Sequence, residues 1–120
     1  MKRSYVFIAG PYKGKDFIEI DRNIARARDA AVFLANNGVP FFCPHLNSGH
    51  FEAMTISVPM DFWYDLDLRF LERASAIWLI DGWKNSQGSL AELARAQALQ
   101  IEVFYQNEGA KLIYWWLSSA

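Results

Sequence analysis

The chemistry this chain could carry concentrates in Ser86-Gln87-Gly88-Ser89-Leu90-Ala91-Glu92. The stretch follows an apolar run, Ala76 to Ile80, and opens an apolar-periodic segment, Leu90 to Leu99. That order reads as strand, glycine-containing loop and helix start. A helix start has unpaired backbone N–H groups and the positive end of the dipole, so it can hold a phosphate or a carboxylate. Ser86 and Gly88 could bind such an anion, one by its hydroxyl and the other by an unobstructed amide. Glu92 beside them could act on a sugar or base. The same residues also fit a capping box, with Ser89 as N-cap and Glu92 reaching back to it, and spacing alone favours that reading. A capping Glu is spent on the backbone, whereas a catalytic one must point into a pocket.

Further candidates lie where other apolar runs stop. Gly10-Pro11-Tyr12 follows Tyr5 to Ala9. Gly10 lets the backbone approach a ligand, and Tyr12 could offer a hydroxyl and a stacking ring. The alternative is a simple turn. Asp65 and Asp67 lie two apart in a helical segment, so only one can share a face with the site. His45 follows Pro44 and suits a hydrogen bond to ligand or backbone. With His50 five positions on and no Cys partner, a metal site is not expected. Asp81 ends the third apolar run and could cap the loop or bind a sugar hydroxyl. Neither a G-x-G-x-x-G fingerprint nor a Walker A loop is present.

The elements that must position these groups alternate along the chain. Tyr5 to Ala9, Val39 to Cys43, Ala76 to Ile80 and Glu102 to Tyr105 read as short buried strands. Between Asp16 and Asn36, Ile20, Ile24, Ala27, Ala31 and Leu34 recur at helical spacing, and Asn37-Gly38 supplies a stop. Met60 to Arg73 reads as a second helix with Phe62, Leu66, Phe70 and Leu71 inward, and Leu90 to Leu99 as a third. Leu46 to Pro59 has no period and reads as a long loop over a site. Gln106 to Ala110 reads as a turn, and Lys111 to Leu117 as an edge strand or a short helix. Such alternation predicts an α/β fold: a flavodoxin-like or Rossmann-like doubly wound parallel sheet of four to five strands, helices on both faces. In that architecture ligands bind at the C-terminal strand ends, where the segments beginning at Gly10, Pro44 and Asp81 converge.

Bulk properties narrow the function classes. The 120 residues fit one domain. Apolar residues make up 52% and aromatics 16%, enough for a core with apolar surface left to cover. Twelve basic against 13 acidic residues argue against binding a nucleic-acid polymer, which needs a basic face. The single cysteine, Cys43, excludes an internal disulfide and a Cys-based zinc site, and suits a reducing compartment. Residues 1–15 show no signal-peptide pattern, and no apolar stretch approaches membrane-spanning length. The expected location is the cytoplasm, with no membrane partner and no metal or organic cofactor.

Taken together, the segments resemble the nucleoside 2-deoxyribosyltransferase superfamily, which includes the 2'-deoxynucleoside 5'-monophosphate N-hydrolases. Tyr5-Val6-Phe7-Ile8-Ala9-Gly10-Pro11-Tyr12 is similar to the family's first strand and ligand loop. Pro44-His45 resembles the end of its second strand. The run Asp67 to Ser75 is similar to the helix carrying its essential Asp, and Gly82 to Glu92 resembles its Ser-x-Gly-x-x-x-Glu loop, the most specific match. The resemblance implies Glu92 as nucleophile at the anomeric carbon of a nucleoside or nucleotide. It implies Asp67 positioning the sugar or delivering a proton, with Asp65 in its place if the register differs by two. It gives Tyr12 a role in orienting Glu92 or stacking near the base, and Ser86 and Gly88 the 5'-phosphate or 5'-hydroxyl end, while Gly10, Pro11, His45 and Asp81 remain binding candidates by their places at the strand ends. Hydrolysis of a 5'-monophosphate stands slightly ahead of base exchange, because Ser86-Gln87-Gly88 resembles the hydrolase loop most. A nucleotide-binding module without strong turnover is the alternative. The apolar tail Tyr114-Trp115-Trp116-Leu117 is expected to pack on another subunit of a homo-oligomer or to finish the monomer core.

Overall fold

A computed structural model describes residues 2–118. Its sheet has four parallel strands in the order β2-β1-β3-β4. These are β1 (Val6–Ala9), β2 (Phe41–Phe42), β3 (Ala76–Leu79) and β4 (Glu102–Tyr105). Helices α1 (Phe17–Asn36) and α6 (Gly109–Leu117) cover one face, and α4 (Met60–Leu71) and α5 (Gln87–Ala98) the other. The fold is thus a doubly wound, flavodoxin-like α/β sheet. Strand alternation divides the core. Val6, Ile8, Ala76 and Trp78 pack with Ala27, Ala31 and Leu34 of α1 and Leu112 of α6. Phe7, Ala9, Ile77 and Leu79 pack with Leu71 of α4 and Ala96 of α5. All four residues of β1 and of β3 are buried, as a strand covered on both faces requires.

The local chemistry of α1 explains its bounds. Asp16 caps its start by accepting from the Glu19 amide at 2.9 Å. After the last turn Gly38 adopts a φ of +72°, in the left-handed region where glycine costs least. Alanines at 27, 30 and 31 let α1 lie close to the sheet.

Several expected boundaries are corrected. The second strand is only Phe41–Phe42, because Val39 is held by the Leu34 carbonyl at the end of α1 and Pro44 already starts a helix. The segment from Leu46 to Pro59 is not a plain loop. It holds most of α2 (Pro44–Ser48) and all of α3 (Phe51–Met54), single turns too short to show a period. Phe62 points outward at 51% exposure, since the face of α4 that it was expected to share is divided between the core and a cavity. The residues from Lys111 belong to α6, which begins at Gly109, inside the expected turn. Leu112 is fully buried in the core while Tyr114 and Leu117 remain exposed. Arg3 ties the other end of the chain to this helix, its guanidinium 3.8 Å from the Trp115 ring centroid and bonded to the Trp115 carbonyl. No helix among the described residues is long and apolar enough to cross a membrane.

Candidate active site

A cavity of about 400 Å³ opens at the C-terminal edge of the sheet, beside the ends of β1 and β3 where the connections diverge to opposite faces. The segment after β1 supplies Gly10, Pro11 and Tyr12, and α2 supplies His45. Helix α4 contributes Trp63, Tyr64 and Asp67, while the start of α5 contributes Ser86, Gly88 and Glu92. Of the residues expected at the site, only Asp81 stands apart, exposed to solvent and outside the cavity wall.

Close packing builds the loop after β1. A side chain on Gly10 would place its Cβ 2.5 Å from Ile80 Cγ1, so only glycine lets β1 leave the sheet here. Gly82 sits at a φ of +90°, and a Cβ there would meet Pro11 Cγ at 2.7 Å. Asn23, a buried amide on the apolar face of α1, donates to the Tyr12 and Lys13 carbonyls at 2.9 and 3.2 Å. His45 Nε2 lies 2.9 Å from the Pro11 carbonyl oxygen, so that nitrogen carries the ring proton. Burial lowers the His45 pKa, against the pull of the carbonyls, and keeps the ring neutral near pH 7. His45 thus fixes the loop as it lines the cavity.

The start of α5 differs from the capping-box reading. The N-cap is Ser86, whose Oγ accepts from the Ser89 amide at 3.2 Å and from the Ser89 hydroxyl at 3.0 Å. The helix begins at Gln87, three residues earlier than expected. Glu92 therefore lies beyond the first turn, out of reach of the cap, and lines the cavity. Asp65 forms an exposed ion pair with Arg69 at 2.9 Å, whereas Asp67 turns to the cavity.

The two cavity carboxyls share an unusual environment. Burial pushes Asp67 up from 3.8 to about 7, and its Oδ1 is buried without a hydrogen-bond partner. Glu92 is pushed well above the ordinary carboxylate range, first by burial and then by the charge of Asp67. No cation offsets either shift. Like charges in one desolvated site cannot both ionise cheaply, so the two groups retain a proton near neutral pH and titrate as a pair.

Tyr12 makes a connection the sequence did not suggest. Its hydroxyl donates to Glu52 Oε1 and accepts from the His50 amide, both at 2.6 Å. The Tyr12 pKa rises to about 12, first through burial and then through the Glu52 bond. Glu52 and Trp63 are cavity residues that sequence reasoning missed. Trp63 precedes Asp67 by one helical turn, a signal that spacing could have provided. Glu52 sits in the segment without a period, which offered none. Cys43 lies nearby, but burial pushes its thiol up to about 11 and keeps it out of nucleophilic chemistry. Among the described residues no group of three or more His, Cys, Asp or Glu side chains could hold a metal ion.

Residues 4–106 match the model of a family described as a domain of unknown function (DUF7768), and the chain belongs to that family. No curated protein matches it.

Proposed function

We propose that this member of the DUF7768 family cleaves the N-glycosidic bond of a (deoxy)nucleoside or its 5'-monophosphate, or transfers its sugar to a second base. The observation that carries the reading is the Asp67–Glu92 pair, two desolvated carboxyls from α4 and α5 that line one cavity. The resemblance to the deoxyribosyltransferase superfamily supports the substrate class.

Breaking a base–sugar bond makes two demands. The base leaves with the bonding electrons and needs a proton, and the anomeric carbon becomes electron-poor and needs a carboxylate. A pair that holds one proton supplies both. In the productive state Asp67 carries the proton and Glu92 the charge. Growing positive charge on the sugar favours that arrangement, because it stabilises ionised Glu92. Glu92 then bonds to the anomeric carbon as the carbon–nitrogen bond breaks and Asp67 protonates the departing base. Water attacks the glycosyl ester next, giving its proton to the Asp67 carboxylate and freeing Glu92. A second base in place of that water gives the transferase outcome.

The test is free-base release from ribo- and deoxyribonucleosides and their 5'-monophosphates, followed by chromatography. Release from at least one substrate, reduced about a thousandfold or more in Glu92→Gln, is expected. Silence of the wild type across the panel, with an acceptor base added, would refute the reading. One observation favours the rival, a nucleotide-binding module without turnover. The Tyr12 hydroxyl is committed to Glu52, so it does not orient Glu92. In that case ligand binds to wild type and to Glu92→Gln alike, and neither releases base.

A further inference from the structure

We infer that the cavity selects a nucleoside with a free 5'-hydroxyl over its 5'-monophosphate, and that Glu52 sets this preference. The inference rests on the nucleoside reading of the site and reverses the order of substrates that loop similarity suggested. Its basis is the charge and hydrogen-bond inventory of the cavity wall.

Among the described residues, three carboxyls line the cavity, Glu52, Asp67 and Glu92, against a single cation, Lys13. Lys13 is exposed, with its ammonium 5.5 Å from the centroid of the Tyr64 ring. Water and salt screen that charge more than they screen the partly buried Glu52. With one proton shared by Asp67 and Glu92, two negative charges face one screened positive charge. A phosphate monoester would add about 1.5 to 2 more negative charges.

The start of α5, the feature best suited to an anion, has spent part of its capacity internally. The Ser89 amide and hydroxyl both donate to Ser86 Oγ. A phosphate needs several donors together. Ser86 Oγ, already accepting twice, has its own proton to offer, which suits a single neutral hydroxyl.

Glu52 has no part in the bond-breaking chemistry, yet it is held in place. The Tyr12 hydroxyl fixes its Oε1, and that hydroxyl is itself fixed by the His50 amide. His50 adopts a φ of +66°, so the chain turns sharply there to present α3. Glu52 cannot swing away from an incoming anion without losing the Tyr12 bond. A carboxylate accepts hydrogen bonds and donates none, so it favours ligands that bring hydroxyl or amino groups.

Binding is measured by calorimetry on full-length Glu92→Gln protein, which leaves the sugar–base bond intact, with and without Glu52→Gln. The ligands are deoxynucleosides and their 5'-monophosphates. Glutamine keeps an oxygen for Tyr12 and removes the charge. The nucleoside is expected to bind about tenfold more tightly or better, and Glu52→Gln to narrow the ratio by about fivefold, chiefly by strengthening nucleotide binding. A second measurement needs no change at Glu52: on the Glu92→Gln protein alone, raising salt to about 0.5 M should also narrow the ratio. Equal or tighter binding of the monophosphate would overturn the inference. So would a ratio indifferent to both Glu52→Gln and salt, or binding of neither ligand. Base release by the wild type separates the two proposals. The expected preference without release sinks catalysis alone, and release chiefly from monophosphates sinks selectivity alone.

Discussion

Asp67→Asn should make the protein more stable at alkaline pH and leave it nearly unchanged in acid. The folded state raises the Asp67 pKa from 3.8 to about 7, and the first cause is burial. A carboxyl whose pKa is raised on folding carries no penalty below its unfolded value, where both states hold the proton. Stability is lost as pH rises from about 4 through 7, where the unfolded chain ionises freely and the folded one does so at a cost. A shift of that size corresponds to at most about 4 kcal/mol. Asp67 lines a cavity and is only half-buried as a residue, so roughly half is a fairer figure, about 2 kcal/mol. Asparagine has the shape of the protonated acid and cannot ionise. Its charge is also absent from the surroundings of Glu92, whose own rise is partly due to Asp67. The assay is thermal unfolding followed by circular dichroism at pH 3, below the unfolded value of 3.8, and at pH 8. About 2 kcal/mol in a chain of this length is a rise in Tm of about 8 °C at pH 8, with little change at pH 3. Equal shifts at both pH values, or destabilisation at pH 8, would refute the placement of Asp67 as a desolvated, unpaired acid. The same variant should lose base release, a gain in stability at the expense of activity.

Two further changes probe the scaffold around the cavity. Ser86→Ala removes the acceptor for the Ser89 amide and should cost about 1 kcal/mol in urea unfolding, with loss of order at the start of α5 visible by hydrogen exchange. Gly10→Ala forces a methyl group to within 2.5 Å of Ile80 Cγ1 and should cost about 1–3 kcal/mol by the same urea titration, since the neighbour that must yield is part of the core.

The strands and longer helices were legible because their burial leaves a periodic mark. Val6 to Ala9 and Ala76 to Leu79 are apolar runs because both faces of the sheet are covered, and Ile24, Ala27, Ala31 and Leu34 repeat because α1 buries one stripe. The cavity interrupts those patterns, and there the reading was weaker. Trp63, Tyr64 and Asp67 share a helix with Leu71 but face open space, so the period of α4 is blurred and Phe62 was misplaced. The segment around Glu52 consists of single turns, fixed by Tyr12 and His50 rather than by apolar spacing. Ser86 and Ser89 are both plausible caps by composition; hydrogen bonding alone chooses between them, and that choice frees Glu92 from the backbone. Asn23 is an amide on the apolar face of α1, but what it holds lies ten and eleven positions away in a loop.

The pairing of β1 with β3 bears on how the molecule assembles. Val6 is paired with Ala76, partners about seventy residues apart, and loop closure over that span must precede any reward from the contact. Sheets built from such distant partners form slowly. The cavity wall comes from segments on both sides of this pairing, from Gly10 to Glu92, so it does not exist until the slow step is complete. A bound ligand can therefore recognise only the finished molecule. It will lengthen the lifetime of the native state by slowing its opening, and it will leave the rate at which the chain first finds that state unchanged.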